Sequence, residues 1–308
     1  MKAIDLMAIF YGTNEYVPDD KGTCVALGFF DGVHLGHRAV IGNGVGCGLR
    51  NTALTFRESP TKALGRECPP LLTDNDRKAA LMTGAGADDV IFADFTELKD
   101  LGCEDFVRRI LIEKLNAKRV CCGFNYRFGK GGAGGAQELE RLCERYGISV
   151  TEIKPVTVDG ERVSSSRIRG LITSGEIEKA NAMLGSAYAI CGEIKGGNHL
   201  GSELGYPTIN IPVGDGLVVP KYGVYGSKVT VGGEVYTGAT NIGVHPTAGA
   251  NDKPLCETFL PDYRGGSLYG KTAVCELMAF IREERLFDSM EALKKQIAED
   301  CKKIKEIM

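Results

Sequence analysis

The chain has 308 residues, 43% of them hydrophobic and 25% charged, with a formal net charge of −3. That balance belongs to a globular protein with room for two domains of ordinary size, and it offers no global electrostatic case for binding nucleic acid or an anionic membrane. Eleven cysteines, an odd count with no Cys-x-x-Cys spacing, argue against a disulfide framework or a structural zinc and for buried thiols in a reducing, cytoplasmic setting.

Met1–Phe10 places Asp5 where a signal peptide needs an unbroken apolar core, and no apolar run approaches the ~20 residues of a membrane span. Cys24–Phe30 reads as a β-strand. It runs into Asp31-Gly-Val-His-Leu-Gly-His37, which reads as a tight turn opening a helix. Two of the chain's four histidines fall within those last four residues. Backbone N–H groups at the helix start, with His34 and His37, form a ready site for phosphate, and Gly28, Gly32 and Gly36 let a ligand approach the backbone. A lone His-x-x-His would read as a solvated surface turn. The glycines and Asp31 favour phosphate.

Further along, Thr52–Phe56, Val90–Phe92, Arg119–Gly123 and Ile148–Ile153 are strand-like. Between them, Thr73-Asp-Asn-Asp76 looks like the cap of a helix running through Met82. Phe106, Ile110, Leu111 and Leu115 recur at helical spacing, as do Leu139, Leu142 and Cys143 before Gly147. Strand–helix alternation predicts a doubly wound parallel sheet with helices on both faces and ligands beyond the strand C-termini. Gly42–Gly48 carries four glycines, each costing roughly 1 kcal/mol in a helix relative to alanine, so the helix after His37 is expected to be short.

Gly123–Gly135 follows a strand and is glycine-rich without the Gly-Lys-Ser/Thr close of a Walker A loop. It reads equally as a surface lid or as a nucleotide loop in which Asn125 and Arg127 hold nucleotide and Phe128 stacks on a flat ring. Ser164, Ser165 and Ser166 stand at the start of a short helix (Ser165–Thr173) that carries Arg169, a donor set suited to several phosphate oxygens. A second short helix spans Glu176–Leu184, and the domain boundary is placed near residue 186, giving domains 1–185 and 186–308.

After that boundary, Tyr188–Ile194, Thr208–Ile211, Gly223–Val231, Glu234–Ile242, Cys256–Pro261 and Thr272–Ile281 are short strands separated by Gly and Pro turns, the pattern of an antiparallel barrel. A helix capped by Asp288-Ser-Met-Glu291, with Leu293, Ile297, Cys301 and Ile304 on one stripe, closes the chain. In Gly205-Tyr-Pro-Thr-Ile-Asn210, Thr208 and Asn210 offer hard oxygen donors on one strand face, suited to Mg²⁺ held largely by substrate phosphates. Glu257 alternates within an apolar strand and reads equally as an exposed strand residue or a general base.

Gly28–His37, Gly123–Gly129 and Ser164–Arg169 resemble the adenylyltransferase module of the prokaryotic bifunctional riboflavin kinase/FMN adenylyltransferase family. Gly205–Asn210, Pro220–Tyr225, Asn241–Thr247, Glu257 and Phe280–Arg282 resemble its kinase module. The resemblance covers essentially the whole chain in the right order, and it implies a Rossmann-like nucleotidyltransferase domain followed by a β-barrel kinase domain. It implies that riboflavin is phosphorylated to FMN and that FMN is adenylylated to FAD with release of pyrophosphate. The substrates are then ATP, riboflavin and FMN, with Mg²⁺ as cofactor and neither nucleic acid nor membrane as partner; a homo-oligomer is left open.

By the same resemblance His34, His37 and Glu257 are catalytic. Gly28, Phe30, Asp31, Gly36, Asn125, Arg127, Ser164–Ser166 and Arg169 bind ATP in the first site. Gly192, Lys195, Gly201 and Pro207 bind it in the second. Phe56, Phe128 and Arg282 contact flavin, and Thr208 and Asn210 the metal. Ser59, Ser202, Ile209 and Phe259 depart from the family's usual residues. They bear on flavin affinity and kinase rate, leaving the core chemical groups in place. The alternative reading is a single-activity or non-catalytic flavin- or nucleotide-binding relative.

Overall fold

The computed structural model describes residues 8–196, 208–244 and 253–308. Contacts divide the chain into two compact units, Met1–Pro69 with Thr73–Ser164, and Pro70–Leu72 with Ser165–Met308. The first unit contains β1 (Ala8–Phe10), β2 (Thr23–Leu27), α1 (Leu35–Gly42), β3 (Arg50–Phe56), α2 (Pro60–Ala63), α3 (Asn75–Gly84) and β4 (Asp89–Ala93). There follow α4 (Phe95–Leu98), α5 (Cys103–Asp105), β5 (Ala117–Gly123), α6 (Ala136–Glu144) and β6 (Ser149–Ile153), then the two-stranded ribbon β7 (Thr157–Val158) and β8 (Glu161–Arg162).

The six long strands are parallel in the order β1-β4-β3-β2-β5-β6. Successive strand residues alternate between two cores. Val25, Leu27, Leu54, Ile91, Val120 and Cys122 pack with Phe106, Leu111, Leu139 and Leu142 on one face. Cys24, Ala26, Ala53, Val90, Phe92 and Cys121 pack with Val40, Ile41, Ala79 and Met82 on the other. Adjacent Cys121 and Cys122 thus enter opposite faces, as a two-residue period requires. Full burial of each Val, Leu or Ile here contributes about 1.5–3 kcal/mol. All eleven cysteines are free thiols.

Several elements differ in detail from the sequence reading. β2 stops at Leu27 rather than Phe30, because Phe30 and Val33 adopt positive φ (55° and 41°) and leave the pleat. The Phe106–Leu115 stripe is π-helical over Phe106–Lys114, with Leu115 N–H donating to the Ile110 carbonyl at 3.0 Å. α1 is short, as the glycines require. Asn43 leaves the helix to accept from Arg119 at 2.6 Å, and a Cβ on Gly44 would collide with the Asn51 amide and the Cys24 sulfur. The side-chain cap of α3 is Asp74, which accepts from Arg77 N–H at 2.7 Å.

The second unit contains α7 (Ser165–Ser174), α8 (Ile177–Leu184), β9 (Tyr188–Glu193), β10 (Thr208–Pro212), β11 (Gly223–Val231), β12 (Glu234–Val244), β13 (Pro254–Phe259), β14 (Thr272–Arg282) and α9 (Met290–Ile307). Its antiparallel sheet has the order β10-β13-β12-β11-β14-β9. A bridge between Lys195 and Asn210 joins the two outer strands, curling the sheet toward a barrel. On the inner face the hydroxyls of Ser227, Thr240 and Thr258 bond in series at 2.6 and 2.8 Å, which satisfies polar groups with no access to water.

The sequence boundary near 186 and the contact division differ by α7 and α8. Asn181 on α8 donates to the Leu277 carbonyl of β14 and accepts from Tyr188 N–H, both at 2.8 Å, tying that helix to the barrel.

α9 begins at Ser289, whose hydroxyl accepts from Ala292 N–H at 3.1 Å, and packs Ile304 against Val224 and Ile281. Arg282 at the end of β14 holds it in place, donating to both carboxylate oxygens of Asp300 at 2.8–3.2 Å. Asp300 is 5% exposed and also accepts from Gln296 at 2.8 Å. Arg282→Met is expected to lower the stability of this unit by about 3 kcal/mol, the lower end for stranding a buried charge because Gln296 still donates. Denaturant unfolding followed by helical signal measures it. An unshifted midpoint would show that Asp300 finds water.

Candidate functional site

Ligands of an open parallel sheet bind beyond the strand ends where the order reverses, here between β2 and β5. The histidine motif follows β2 and the glycine-rich loop follows β5, so both sit at that switch point. In the turn after β2, Val33 N–H closes on the Phe30 carbonyl at 3.1 Å and Thr55 Oγ1 donates to the Phe29 carbonyl at 2.8 Å. A Cβ on Gly28 would lie 2.7 Å from the Phe30 ring, so only glycine lets that ring fold beneath the turn. Two positive-φ residues other than glycine store about 1–3 kcal/mol each, strain that the surrounding core holds in place.

His34 is the N-cap of α1, its Nδ1 accepting from His37 N–H at 3.2 Å. That bond leaves the proton of the neutral ring on Nε2, where it is a donor. The two imidazoles stack with centroids 3.6 Å apart, and Phe30 meets His37 edge-on at 5.4 Å. Phe30 and Asp31 are buried, and a Cβ on Gly36 would press on the His34 ring at 3.1 Å. His37 Nδ1 is buried without a hydrogen-bond partner among the described residues. A buried polar atom left open in this way suits a ligand that supplies the missing bond.

Burial pushes His34 down to about 4, and burial with the neighbouring His34 and Lys78 holds His37 well below the usual imidazole range. Both rings are therefore neutral at pH 7. The unfolded chain takes up these protons near pH 6.5, so the stability from neutral burial is complete above that pH. It is lost as pH falls through the window from 6.5 to about 4. The unfolding midpoint of the first unit is expected to drop across that window, and His34→Gln to flatten the drop. A level wild-type midpoint would mean that the rings are solvated.

In the loop after β5, Asn125 and Arg127 are exposed, while Phe128 is only 5% exposed. Phe128 packs against Phe106 at 5.4 Å, and its backbone pairs with Gly134 in both directions. Where stacking on a flat ring was expected of Phe128, the structure shows a ring wedged into the core that fastens the loop. Phe56 is half-buried at the end of β3, edge-on to Phe95 at 5.3 Å. Ser164 ends the first unit, whereas Ser165, Ser166 and Arg169 belong to the second, where Arg169 Nε donates to the Pro70 carbonyl at 2.6 Å.

In the second unit the register places Asn210, Glu257, Asn241, Val224 and Arg282 in one row across β10, β13, β12, β11 and β14. Residues directly opposite share a sheet face, so Asn210, Glu257 and Asn241 project together, with Thr208 two residues along on the same side. Asn210 is buried, and Asn241 Nδ2 donates to Glu284 at 2.9 Å. Thr208 and Asn210 supply neutral hard oxygens, a donor set that fits Mg²⁺ carried mainly by phosphate. Among the described residues no group of three or more His, Cys, Asp or Glu side chains could hold a metal alone.

Lys195 Nζ pairs with Glu193 at 2.7 Å while its backbone N–H donates to the Asn210 carbonyl. Gly192 lies on β9, where a Cβ would touch Ile211 at 3.0 Å. Gly201 and Pro207 lie outside the described residues. Arg282, expected at the flavin, spends Nε and one terminal nitrogen on Asp300 and so clamps α9.

Sequence reasoning passed over Asn241 as an individual site residue and missed Lys78, which is 3% exposed. The signal for Lys78 was a lysine flanked at helical spacing by the core residues Ala79 and Met82.

Two family models match the chain, FAD synthetase over residues 17–167 and riboflavin kinase over 184–308. The bifunctional riboflavin kinase/FMN adenylyltransferase of Listeria monocytogenes is 34% identical over 94% of this chain and 92% of its own length. That of Pseudomonas fluorescens is 31% identical over 96% of each. A crystal structure named as a macrolide-efflux protein from Streptococcus pneumoniae has a TM-score of 0.84 at 25% identity, covering 97% of this chain and 99% of that one. No helix among the described residues is long and apolar enough to cross a membrane.

Proposed function

The chain belongs to the bifunctional riboflavin kinase/FMN adenylyltransferase family, and from that premise we propose which of its residues run each reaction. The enzyme phosphorylates riboflavin to FMN with ATP and adenylylates FMN to FAD, releasing pyrophosphate. We assign FAD formation to the turn and helix at Gly28–His37. The observation that carries this is the stacked pair of neutral imidazoles, His34 buried and His37 half-buried, at a helix N-terminus on the sheet's switch point.

There an FMN phosphate oxygen attacks the α-phosphorus of ATP, and the bond to the β-phosphate oxygen breaks. Negative charge grows on the α-phosphoryl oxygens and on departing pyrophosphate. His34 and His37 donate ring N–H groups to that charge, joined by the free N–H groups of α1. No covalent intermediate with the protein is needed, because positioning and charge stabilisation suffice for phosphoryl-type transfer. Asp31, Gly28, Gly36 and Phe30 shape this pocket. Asn125, Arg127 and the Ser164–Arg169 motif are the nucleotide-holding candidates by their sequence.

Riboflavin phosphorylation is assigned to the row containing Asn210, Glu257 and Asn241. Glu257 accepts the proton of the ribityl hydroxyl as that oxygen attacks the γ-phosphorus, and ADP departs. Mg²⁺, delivered with ATP, would draw on Thr208 and Asn210 and neutralise charge on the phosphate oxygens. The functional modules are proposed to divide near residue 186, and the cytoplasm, where thiols stay reduced, is the proposed location.

Incubating the protein with riboflavin, magnesium and ATP, and resolving FMN and FAD by chromatography, tests the assignment. Both products are expected in succession. FMN without FAD would remove the histidine site from the reading.

A further inference from the structure

Lysine is almost never fully buried unless something holds its charge. Lys78 on α3 is 3% exposed, and its Nζ donates to the Phe56 carbonyl at 2.8 Å. The ammonium lies 4.6 Å from the centroid of the Phe29 ring and 5.2 Å from that of Phe92. Those partners stand at the end of β3, in the turn after β2 and near the end of β4. One cation thus gathers the carboxyl ends of three adjacent strands beside the histidine pocket.

Burying an ammonium costs several kcal/mol, and a methionine of similar length would fill the same space without that penalty. Packing alone does not explain a charge here. We propose that Lys78 is a positioning residue of the adenylylation site, its ammonium fixing the Phe29–Asp31 turn against the ends of β3 and β4 and setting the field in which His37 works. This deepens the assignment of FAD formation to the histidine pair and rests on it.

The groups bearing on His37 are His34 beside it and Lys78 from α3. Asp31, in the turn, acts in turn on Lys78. Arg38, the next residue of α1, faces Arg77 of α3. Cations outnumber the single carboxylate, so the field disfavours a charged imidazole. Burial also pushes the Lys78 ammonium down to about 8, with Asp31 working against that, so it keeps its proton at pH 7 and loses it just above.

The test is Lys78→Met, with kcat/KM for FAD formation from supplied FMN measured from about pH 5 to about pH 10, a quantity that reports groups of the free enzyme. At neutral pH the variant is expected to lose about 10- to 100-fold, the scale of a misplaced reacting geometry. The wild-type alkaline limb near 8 is expected to vanish from the variant. The acid limb should move to higher pH, since one cation near His37 is gone. Riboflavin phosphorylation should be unchanged and the unfolding midpoint of the first unit equal or higher.

A uniform loss with both limbs in place, a lower midpoint, or FAD formation at the wild-type rate would each overturn the proposal. If the wild-type enzyme itself makes FMN but no FAD, the histidine-site assignment fails first. If it makes FAD and Lys78→Met does so equally well, only the role of Lys78 falls.

Discussion

His37→Ala is expected to cut FAD formation by about 10²- to 10³-fold while riboflavin is still converted to FMN, so that FMN accumulates. The ring of His37 is held from three sides: stacked on His34, edge-on to Phe30, and fixed through its own backbone N–H to the His34 ring. Its Nδ1 has no partner among the described residues, so the substitution breaks no hydrogen bond at that atom. Losing one preorganised donor to developing phosphoryl charge costs roughly 2.7–4 kcal/mol of barrier, about 10²- to 10³-fold in rate. His34 is the less clean target, because it is also the helix cap and its removal adds about 1 kcal/mol of lost stability. A single reaction mixture followed for both products decides the matter. FAD formation within a few-fold of wild type would take His37 out of the reaction, and loss of FMN as well would signal a chain that no longer folds.

The parts of this protein that were legible in the sequence are those set by periodicity and by local turn chemistry. Strand–helix alternation from β2 to β5 gave the parallel sheet, and the two-residue period of a strand accounts for the opposite faces of Cys121 and Cys122, whatever the context. His34 and His37 were found because a helix opening after a strand end needs only the glycines and the apolar run to be recognised. What escaped depends on contacts distant in sequence. The packing of Phe128 on Phe106 is one such contact, invisible from its neighbours in a glycine loop. The pairing of Arg282 with the carboxylate of Asp300, 18 residues on, is another. Lys78 drew no attention in the sequence, because its burial arises from the strand ends that close over it. The β7–β8 ribbon was missed although Asp159-Gly160, both at positive φ (51° and 78°), is a strong local hairpin signal.

Glu257→Gln is expected to cut riboflavin kinase turnover by about 10²- to 10⁴-fold, the contribution of a positioned base. The affinity for riboflavin and the adenylylation of supplied FMN should change little. The amide keeps the size of the carboxylate and can still hydrogen-bond within the row, so β13 retains its pairing with β10 and β12. Only the capacity to take a proton is lost. The flanking row members, Asn210 and Asn241, are amides and cannot take it over. The competing carboxylate is Glu284, which accepts from Asn241 Nδ2 at 2.9 Å and so lies one residue from the same row. If Glu284 were the base, Glu284→Gln would show the large loss and Glu257→Gln would not. Single-turnover FMN formation by the two variants, measured side by side, separates these cases. Near-normal turnover by Glu257→Gln would return Glu257 to the status of a strand residue at the barrel rim.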